Sequence, residues 1–311
     1  MDEALLREQI NAVRNELVRV IRGKDAVVDL MLNAVLAGGS VLMDDVPGVG
    51  KTTLAKALAV ALNVQFKRIQ FTPDLLPADV LGGSIYNPKT AEFVMHKGPV
   101  FTNIVLADEI NRASPRTQSA LLEAMNEKQV TLEGKVYPLP DPFLVIATEN
   151  PVEYFGTYPL PEAQLDRFYM KLTLGYPDET AEMAMLTDRL QTDPGDSVKP
   201  ILCEDGLRFI REYITRITVE DSVAGYILAI IRKTREDSRI QLGASPRAFL
   251  TLTQCARTRA WLQNRSFITP DDVKELAVPV LAHRLVMKEQ GVADEAGQAV
   301  RDILKQIRIP A

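Results

Sequence analysis

The sequence is poor in the residues that build metal centres and disulfide frameworks. Its 311 residues include two cysteines and two histidines. Cys203 and Cys255 lie far apart and form no CxxC pair, and His96 and His283 lack the spacing of metal ligands. These features argue against a structural zinc site and against a fold held by disulfides.

Long apolar runs and an excess of basic residues are also missing. The longest apolar stretches are interrupted by Asp29 and Asn33, or extend only over residues 223–231, which is too short to cross a bilayer. Charged residues near the N-terminus argue against a signal peptide. The net charge of −5 and the pI of about 5.3 argue against constitutive, sequence-independent binding to nucleic acid. We therefore expect a cytoplasmic protein without a membrane span.

The distribution of apolar residues predicts two domains, as the length of 311 residues also suggests. Short apolar runs with strand character alternate with helical patterns or long connections, at residues 40–43, 66–71, 104–107, 143–148 and 169–174. This alternation predicts an α/β layer with a mostly parallel sheet. Beyond residue 176 only helical patterns remain, at residues 178–190, 205–217, 221–237, 246–264, 270–286 and 294–307. We predict an α/β core over residues 1–176 and an all-α domain over residues 177–311.

Two segments interrupt the α/β pattern. Residues 72–103 form a connection rich in proline and glycine, and a loop of this length is usually functional or structured. Residues 129–139 resemble a β-hairpin with a turn at Glu133-Gly134-Lys135. The helix before this hairpin is predicted to begin with Ser114 as its cap and Pro115 at its first position.

A glycine-rich loop follows the apolar run 41–43 and precedes a helical pattern that begins near Leu54. The loop comprises Asp45, Val46, Pro47, Gly48, Val49, Gly50, Lys51, Thr52 and Thr53. Glycines let backbone amides point at phosphate oxygens, and the helix adds the positive end of its dipole. Lys51 would reach the β- and γ-phosphates of a nucleotide, and Thr52 would ligate Mg²⁺. Asp45 departs from the usual pattern, which has glycine at that position.

Polar residues end two further predicted strands. Residues 104–109 form an apolar strand that ends in Asp108 and Glu109. Asp108 would hold the Mg²⁺ shell, and Glu109 would polarise the water that attacks the γ-phosphate. Asn150 ends the next strand, where its amide could contact both the γ-phosphate and that water. Together with the loop, these residues predict a nucleotide-hydrolysing site.

Four arginines are candidates for contact with anions or with other subunits. Arg167 ends a short helical segment, and arginine is suited to stabilising charge on a transferring phosphoryl group. Arg247 lies at the start of a predicted helix, where the positive end of the helix dipole disfavours a positive charge. We therefore expect Arg247 to have an anionic partner. Arg112 and Arg116 follow Glu109 closely. Either could lie at a subunit interface or be a solvated helix charge.

Several motifs together resemble the AAA+ ATPases, and within them the MoxR family. The most specific match is Ala107-Asp108-Glu109-Ile110-Asn111-Arg112-Ala113-Ser114-Pro115, which continues into residues 118–125. Supporting matches lie at residues 45–52, 147–151, 156–168 and 243–247. The resemblance also accounts for Asp45, because aspartate in place of this glycine is compatible with the family pattern. The matches occur in family order over nearly the whole chain.

The resemblance assigns roles to the residues already singled out. It implies that Lys51 and Thr52 belong to the Walker A motif and that Asp108 and Glu109 belong to Walker B. Asn150 matches sensor 1. Arg167 matches the arginine finger, which would act on the ATP of a neighbouring subunit. Arg247 matches sensor 2 in the lid domain, and the resemblance leaves open whether it acts on its own subunit's ATP or on a neighbour's.

Other segments also acquire meaning from the family. Arg22 and Gly23 lie in residues 20–24, which are similar to the segment that lines the adenine pocket. Residues 72–103 resemble the helix-2 insert, and residues 129–139 the pre-sensor hairpin. The family fold implies a five-stranded sheet, with the loop strand expected at its centre. It also implies ATP and Mg²⁺ as cofactors, hydrolysis of ATP to ADP and phosphate, and a homo-oligomer, typically a hexamer. MoxR proteins are thought to assemble or activate partners, which usually carry a von Willebrand factor A domain.

Two other functions stay open on the sequence. A nucleotide-gated scaffold would bind partners while hydrolysing slowly or not at all. The presence of Glu109 with Asp108, Asn150 and the two arginines Arg167 and Arg247 favours hydrolysis instead. A nucleic-acid remodelling motor would need a basic surface. The basic residues of the 72–103 segment are Lys89 and Lys97, with His96. These are few for a protein that binds along a phosphate backbone.

Overall fold

The computed structural model describes residues 2–46, 48–89, 91–150, 157–177, 179–180, 182–183, 194–203, 205–289 and 294–310. The helices are α1 (Glu3–Val20), α2 (Asp25–Leu36), α3 (Lys51–Ala61), α4 (Pro77–Leu81), α5 (Pro115–Glu127), α6 (Glu162–Leu165), α7 (Gly206–Thr215), α8 (Asp221–Glu236), α9 (Pro246–Leu262), α10 (Pro270–Leu281) and α11 (Glu295–Gln306). The strands are β1 (Val41–Asp44), β2 (Phe66–Gln70), β3 (Gly82–Asn87), β4 (Glu92–Lys97), β5 (Ile104–Asp108), β6 (Gln129–Leu132), β7 (Lys135–Pro138), β8 (Leu144–Glu149), β9 (Met170–Leu172), β10 (Ile240–Leu242) and β11 (Val286–Met287).

A five-stranded parallel sheet forms the centre of the first domain, in the order β2-β5-β8-β1-β9. Strands β5 and β8 are apolar on both faces and almost completely buried, as expected for inner strands of a parallel sheet. All five predicted strands are confirmed. The expected central position of the loop strand β1 is wrong. Strand β9 pairs with β1 on the side away from β8, which leaves β8 in the middle.

The two segments that interrupt the α/β pattern are both structured. The connection 72–103 contains the short helix α4 and an antiparallel hairpin of β3 and β4. The predicted hairpin at 129–139 is confirmed as β6 and β7. Its turn has two residues, Glu133 and Gly134, with φ of +50° and +76°, and Lys135 already belongs to β7. Positive φ at both positions matches the right-handed twist of a two-residue hairpin turn.

The chain beyond residue 205 is helical, as predicted, but it also contains a short antiparallel pair of strands, β10 and β11. The helix predicted over 270–286 ends at Leu281. The Arg284 side chain donates to the Val280 carbonyl at 2.8 Å and so satisfies an acceptor at that helix end. The helix predicted over 178–190 lies largely outside the described residues. The division between residues 176 and 177 stays a prediction.

The helical domain packs against the first two helices and the edge strand β9. Trp261 on α9 is completely buried, and its indole nitrogen donates to Glu3 at 2.9 Å. Asn33 on α2 donates to the Cys255 carbonyl at 3.0 Å. These contacts fix the position of α9 relative to α1 and α2. Among the described residues, no helix combines the length and the apolarity that crossing a bilayer requires.

Candidate functional site

The glycine-rich loop has the backbone conformation that its sequence predicts. Gly48 and Gly50 have φ of +87° and +100°, a region that other residues enter only with strain. Helix α3 begins directly afterwards at Lys51, so its free amides face the loop. The Lys51 ammonium donates to the Asp45 carbonyl at 2.7 Å. Burial lowers the pKa of Lys51, and the carboxylates nearby oppose that shift.

The remaining predicted loop residues surround this arrangement. Thr52 and Thr53 are half-buried in the first turn of α3, and Val49 packs against the main core. Val46 is half-buried as well, whereas Pro47 lies outside the described residues. The amides at the start of α3 and the Thr52 hydroxyl are therefore placed where a phosphate and its metal would be held.

Asp45 holds the loop through its side chain. The residue is 3 % exposed, and its carboxylate accepts from the Leu174 and Gly175 amides at 2.6 and 2.8 Å. These amides follow strand β9, so Asp45 ties the start of the loop to the neighbouring strand's exit. The side chain that replaces the usual glycine thus acts as an anchor, while its main-chain carbonyl receives Lys51.

Replacing Asp45 by alanine is expected to lower the free energy of unfolding by about 1–3 kcal/mol, because it leaves buried amides without an acceptor. Urea denaturation would measure the change. Asp44→Ala is the matched control, since Asp44 pairs with the partly exposed Lys171 at 2.6 Å and should cost below about 1 kcal/mol. Equal losses in the two variants would contradict the anchoring role.

The segment predicted to line the adenine pocket lies beside the loop. A Cβ atom built on Gly50 would come within 3.3 Å of Ile21 Cδ1. Gly23 has φ of +73° in the turn after α1, and the neighbouring Lys24 ammonium donates to the Tyr176 carbonyl at 2.7 Å. Arg22 is half-buried between Ile21 and Gly23. The structure thus brings Ile21, the residue before Arg22, against the phosphate loop, and the adenine-pocket role of Arg22 and Gly23 stays a prediction.

The acidic pair lies at the carboxyl end of β5 and is held from β8. The Thr148 hydroxyl donates to Asp108 Oδ1 at 2.7 Å and accepts from the Glu109 amide at 2.8 Å. Glu109 itself has φ of +57° and ψ of +51°. Such left-handed conformations are unfavourable for residues with a side chain and are often found at functional sites. Sequence reasoning missed Thr148, although a hydroxyl near the end of a buried strand was a usable signal.

Both carboxylates are also held from the edge strand β2. Arg68 donates to Asp108 Oδ2 at 2.6 and 3.0 Å and to the side-chain oxygen Oε1 of Gln70 at 2.6 Å. The Gln70 amide donates to Glu109 Oε2 at 2.9 Å, and Arg112 donates to the same oxygen at 3.0 Å. Arg112 therefore supports Glu109, whereas Arg116 is exposed. Sequence reasoning missed Arg68 and Gln70, whose roles depend on the pairing of β2 with β5.

Asn150 lies at the end of β8 and is 3 % exposed. Its carbonyl accepts from the Asn111 side chain at 3.3 Å, and the Asn111 carbonyl accepts from the Tyr158 amide at 2.6 Å. Gln118 donates to the Tyr158 carbonyl at 2.9 Å. This network positions the strand end that carries Asn150 next to the acidic pair.

The chemistry of the donor set fits Mg²⁺. Among the described residues, no group of three or more histidine, cysteine, aspartate or glutamate side chains could hold a metal ion alone. Mg²⁺ is typically bound by one or two protein oxygens together with substrate phosphates and water. The Thr52 hydroxyl and the Asp108 carboxylate supply such oxygens. Arg68 would have to release one Asp108 oxygen when the ion binds.

Arg167 and Arg247 lie at the opposite end of the sheet. Strand β9 begins at Met170 beside Val41, and the Tyr169 amide donates to the Ser40 carbonyl at 2.8 Å. The phosphate loop follows the other end of β1, so the four residues of that strand, roughly 13 Å at about 3.3 Å each, separate the two ends. The structure therefore divides the predicted site into two groups of residues.

The two arginines are held together at this end. Arg167 donates to the Leu122 carbonyl at 2.9 Å, and Arg247 lies 3.9 Å from Asp166. Asp166 also pairs with the buried Arg284 at 2.8 Å and accepts from the Ser245 hydroxyl. Docking of the helical domain thus places Arg247 beside Arg167, away from the phosphate loop of the same chain.

Comparison with known proteins identifies the family. Residues 40–170 match the ATPase family associated with various cellular activities (AAA), and residues 232–307 match the AAA lid domain. Chaperone MoxR1 of Mycobacterium tuberculosis is 40% identical over 95% of this chain and 81% of its own. The chain belongs to the MoxR family of AAA+ ATPases. Protein MoxR of Methylorubrum extorquens is 29% identical over 97% of this chain and 94% of its own.

Two further proteins are similar to this chain over nearly its full length. YeaC of Bacillus subtilis is 48% identical over 94% of this chain and 92% of its own. A crystal structure from Cytophaga hutchinsonii is 39% identical, covers 99% of this chain and 97% of its own, and superposes with a TM-score of 0.91. The AAA+ core and helical lid predicted from the MoxR-like motifs are therefore confirmed.

Proposed function

We propose that this MoxR-family protein hydrolyses ATP with Mg²⁺ and uses the cycle to remodel, assemble or activate partner proteins. The observation that supports this most strongly is the division of the site. Lys51, Asp108 and Glu109 lie at one end of the sheet, whereas Arg167 and Arg247 lie at the other. A complete site needs both groups, so it forms between two subunits.

The residues at the loop end bind and orient the reactants. The amides at the start of α3 and the Lys51 ammonium bind the phosphates, and Thr52 and Asp108 hold the metal. Magnesium, when bound, neutralises charge on the β- and γ-phosphates. Glu109 accepts a hydrogen bond from the attacking water and takes its proton. Asn150, buried beside the acidic pair, orients the water and the γ-phosphate.

The arginine end serves the neighbouring subunit. Arg167 stabilises the charge that develops on the neighbour's γ-phosphate, and such an arginine is worth orders of magnitude in rate. A heterologous contact of this kind repeats from subunit to subunit and forms a ring when the rotation between subunits closes. We propose a cytoplasmic ring of about six subunits, as the family resemblance implies. Hydrolysis is then coupled to the contacts between subunits.

The hairpin of β3 and β4 is our candidate for contact with client proteins. Its side chains Ile85, Tyr86, Phe93 and Val94 are 57, 51, 70 and 41 % exposed. Tyr86 and Phe93 are register partners with ring centroids 5.4 Å apart, whereas Ile85 and Val94 lie on the opposite face. Both faces of this hairpin are therefore apolar and exposed, which marks a site of protein contact.

The second hairpin continues this surface. The Ser84 hydroxyl donates to Glu133 at 2.9 Å and joins the β3–β4 hairpin to the β6–β7 hairpin. Val136 on β7 is 56 % exposed. We propose that the joined hairpins bind protein clients, including a partner with a von Willebrand factor A domain. Helix α4 and strand β3 follow β2 along the chain, and β2 carries Gln70, which donates to Glu109. The chain therefore connects the first hairpin to the acidic pair.

Capture on a hydrolysis-deficient variant tests this function. Tagged Glu109→Gln protein with Mg·ATP should retain more partner protein from a native extract than wild type, because client and nucleotide binding are linked. The same variant carrying Phe93→Ser should retain ATP but lose most of the captured partner. Capture that is indifferent to both ATP and Phe93 would argue against remodelling through this hairpin.

A nucleotide-gated scaffold is the second candidate. The observation that favours it is the Glu109 carboxylate, which both Gln70 and Arg112 hold in the structure. Both hydrogen bonds go to Oε2, so this oxygen is occupied until its donors move. Steady-state ATP turnover distinguishes the two functions, because a scaffold would bind ATP and partners with turnover close to that of Glu109→Gln.

A further inference from the structure

A groove of 580 Å³ lies at the amino end of the sheet, between α9 and the end of α5. It is lined by four cationic side chains, Lys128, Arg167, Arg247 and Arg257. Among the described residues that line it, none is acidic. Outside this lining, Arg247 lies 3.9 Å from Asp166, a carboxylate that also pairs with Arg284. The groove therefore keeps a positive charge that attracts anions.

Arg257 belongs to the same face of α9 as Arg247. The positions 247, 250, 254 and 257 recur at three- and four-residue steps, and all four residues line the groove. Arg257 lies about 15 Å further along the helix axis than Arg247, at about 1.5 Å for each residue. The helix thus presents an arginine at each end of one continuous surface.

The Arg257 side chain has an unmet hydrogen bond. Its Nε atom is buried, and within the described part of the chain no acceptor lies in hydrogen-bond range. A buried donor without an acceptor costs about 1–3 kcal/mol, and more when the group is charged. Arg257 lines the groove, so an anionic oxygen that enters it comes close to this guanidinium group.

We propose that Arg257, assisted by Lys128, binds the phosphates of a nucleotide held in the phosphate loop of a second copy of this chain. The inference rests on the proposed function, in which Arg167 already acts on a neighbour's nucleotide. The occupant is a second copy because the groove contains both Arg167 and Arg247, and both are separated by the sheet from their own loop. Arg257 thereby extends the shared site along α9.

Turnover and assembly of Arg257→Ala test the proposal. At saturating Mg·ATP, turnover should fall by about 10- to 100-fold. This is the loss expected when one hydrogen bond to a charged group is removed from the transition state. Binding of a fluorescent ADP analogue to dilute protein should be unchanged. Arg257→Lys should recover part of the turnover. Arg232→Ala, an exposed arginine on α8, is the matched control and should behave as wild type.

Mixing two variants shows whether Arg257 acts on the nucleotide of a neighbouring subunit. Adding Lys51→Ala protein, which has an intact Arg257 but an impaired loop, should restore part of the turnover of Arg257→Ala. Wild-type turnover in Arg257→Ala would overturn the proposal. Weakened ADP binding by dilute protein would show that Arg257 contacts the nucleotide of its own subunit. Equal loss of assembly with and without ATP would show that Arg257 only stabilises the subunit interface. Either result would also overturn the proposal.

Failure of the proposed function can be distinguished from failure of the inference about Arg257. It would appear as absent turnover in both wild type and Arg232→Ala. ATP-induced assembly, measured by light scattering, then decides the inference. Weaker ATP-induced assembly of Arg257→Ala with unchanged assembly in the absence of nucleotide supports it, and assembly equal to that of Arg232→Ala overturns it.

Discussion

Replacing Glu109 by glutamine is expected to lower ATP turnover by about 10²- to 10⁴-fold while nucleotide binding is retained. The glutamine keeps an acceptor oxygen for Gln70 and Arg112, which hold the native carboxylate at 2.9 and 3.0 Å. The strained backbone and its bond to Thr148 also stay in place. The variant therefore loses only the ability to take a proton from water.

Phosphate release in a single turnover and equilibrium binding of ATP would measure the two effects. Glu123→Gln, an exposed glutamate on α5, is the matched control and should turn over like wild type. Unchanged turnover in Glu109→Gln would remove this residue from the chemistry. A parallel loss of ATP binding would show instead that the acidic pair mainly shapes the pocket.

Replacing Arg167 by alanine is expected to lower turnover by about 10³- to 10⁵-fold, the effect typical of an arginine finger. ATP binding by the same subunit should be spared, because the sheet separates Arg167 from Lys51. The side chain donates to the Leu122 carbonyl at 2.9 Å, so it is already oriented before a partner arrives. Lysine should restore little, since it lacks the planar, multidentate geometry of a guanidinium group.

The control for Arg167→Ala is Arg208→Ala on α7. Arg208 is exposed and lies 3.7 Å from Asp205 on the surface. Its loss should leave turnover unchanged. Arg167→Ala turnover within a few-fold of that control would contradict the finger role, and loss of ATP binding by Arg167→Ala would contradict the separation of the two ends.

Local sequence features were sufficient for much of the fold. Each sheet strand contains a short apolar run, and the inner strands β5 and β8 are apolar along most of their length because both of their faces are buried. The phosphate loop was equally local, because Gly48 and Gly50 have the positive φ that only glycine adopts freely. Ser114 was correctly predicted as a helix cap, since its side chain accepts from the Thr117 amide.

Features that depend on pairing between distant segments could not be predicted. The place of β1 in the sheet depends on β9, which follows it by more than a hundred residues. Strands β10 and β11 have three and two residues, too few to show an alternating pattern. The position of the lid depends on contacts such as that of Trp261 with Glu3, which join the two ends of the chain.

The candidate site shows the same contrast. Lys51, Asp108, Glu109 and Asn150 were predicted because each follows a recognisable loop or strand end. Arg68 and Gln70 were missed because their side chains act across the β2–β5 register, in which Gln70 lies opposite Asp108. Arg257 was missed because its importance follows from the groove in which α9 places it.

The central claim is that each active site is shared between two subunits. Mixing Arg167→Ala with Lys51→Ala tests it most directly, because each variant alone lacks a different half of every site. Mixed rings contain some sites with an intact loop from one variant and an intact finger from the other. We predict that turnover rises well above the sum of the two separate proteins and peaks near equal proportions. Turnover that stays at the sum in every proportion, in rings shown to exchange subunits, would contradict the account.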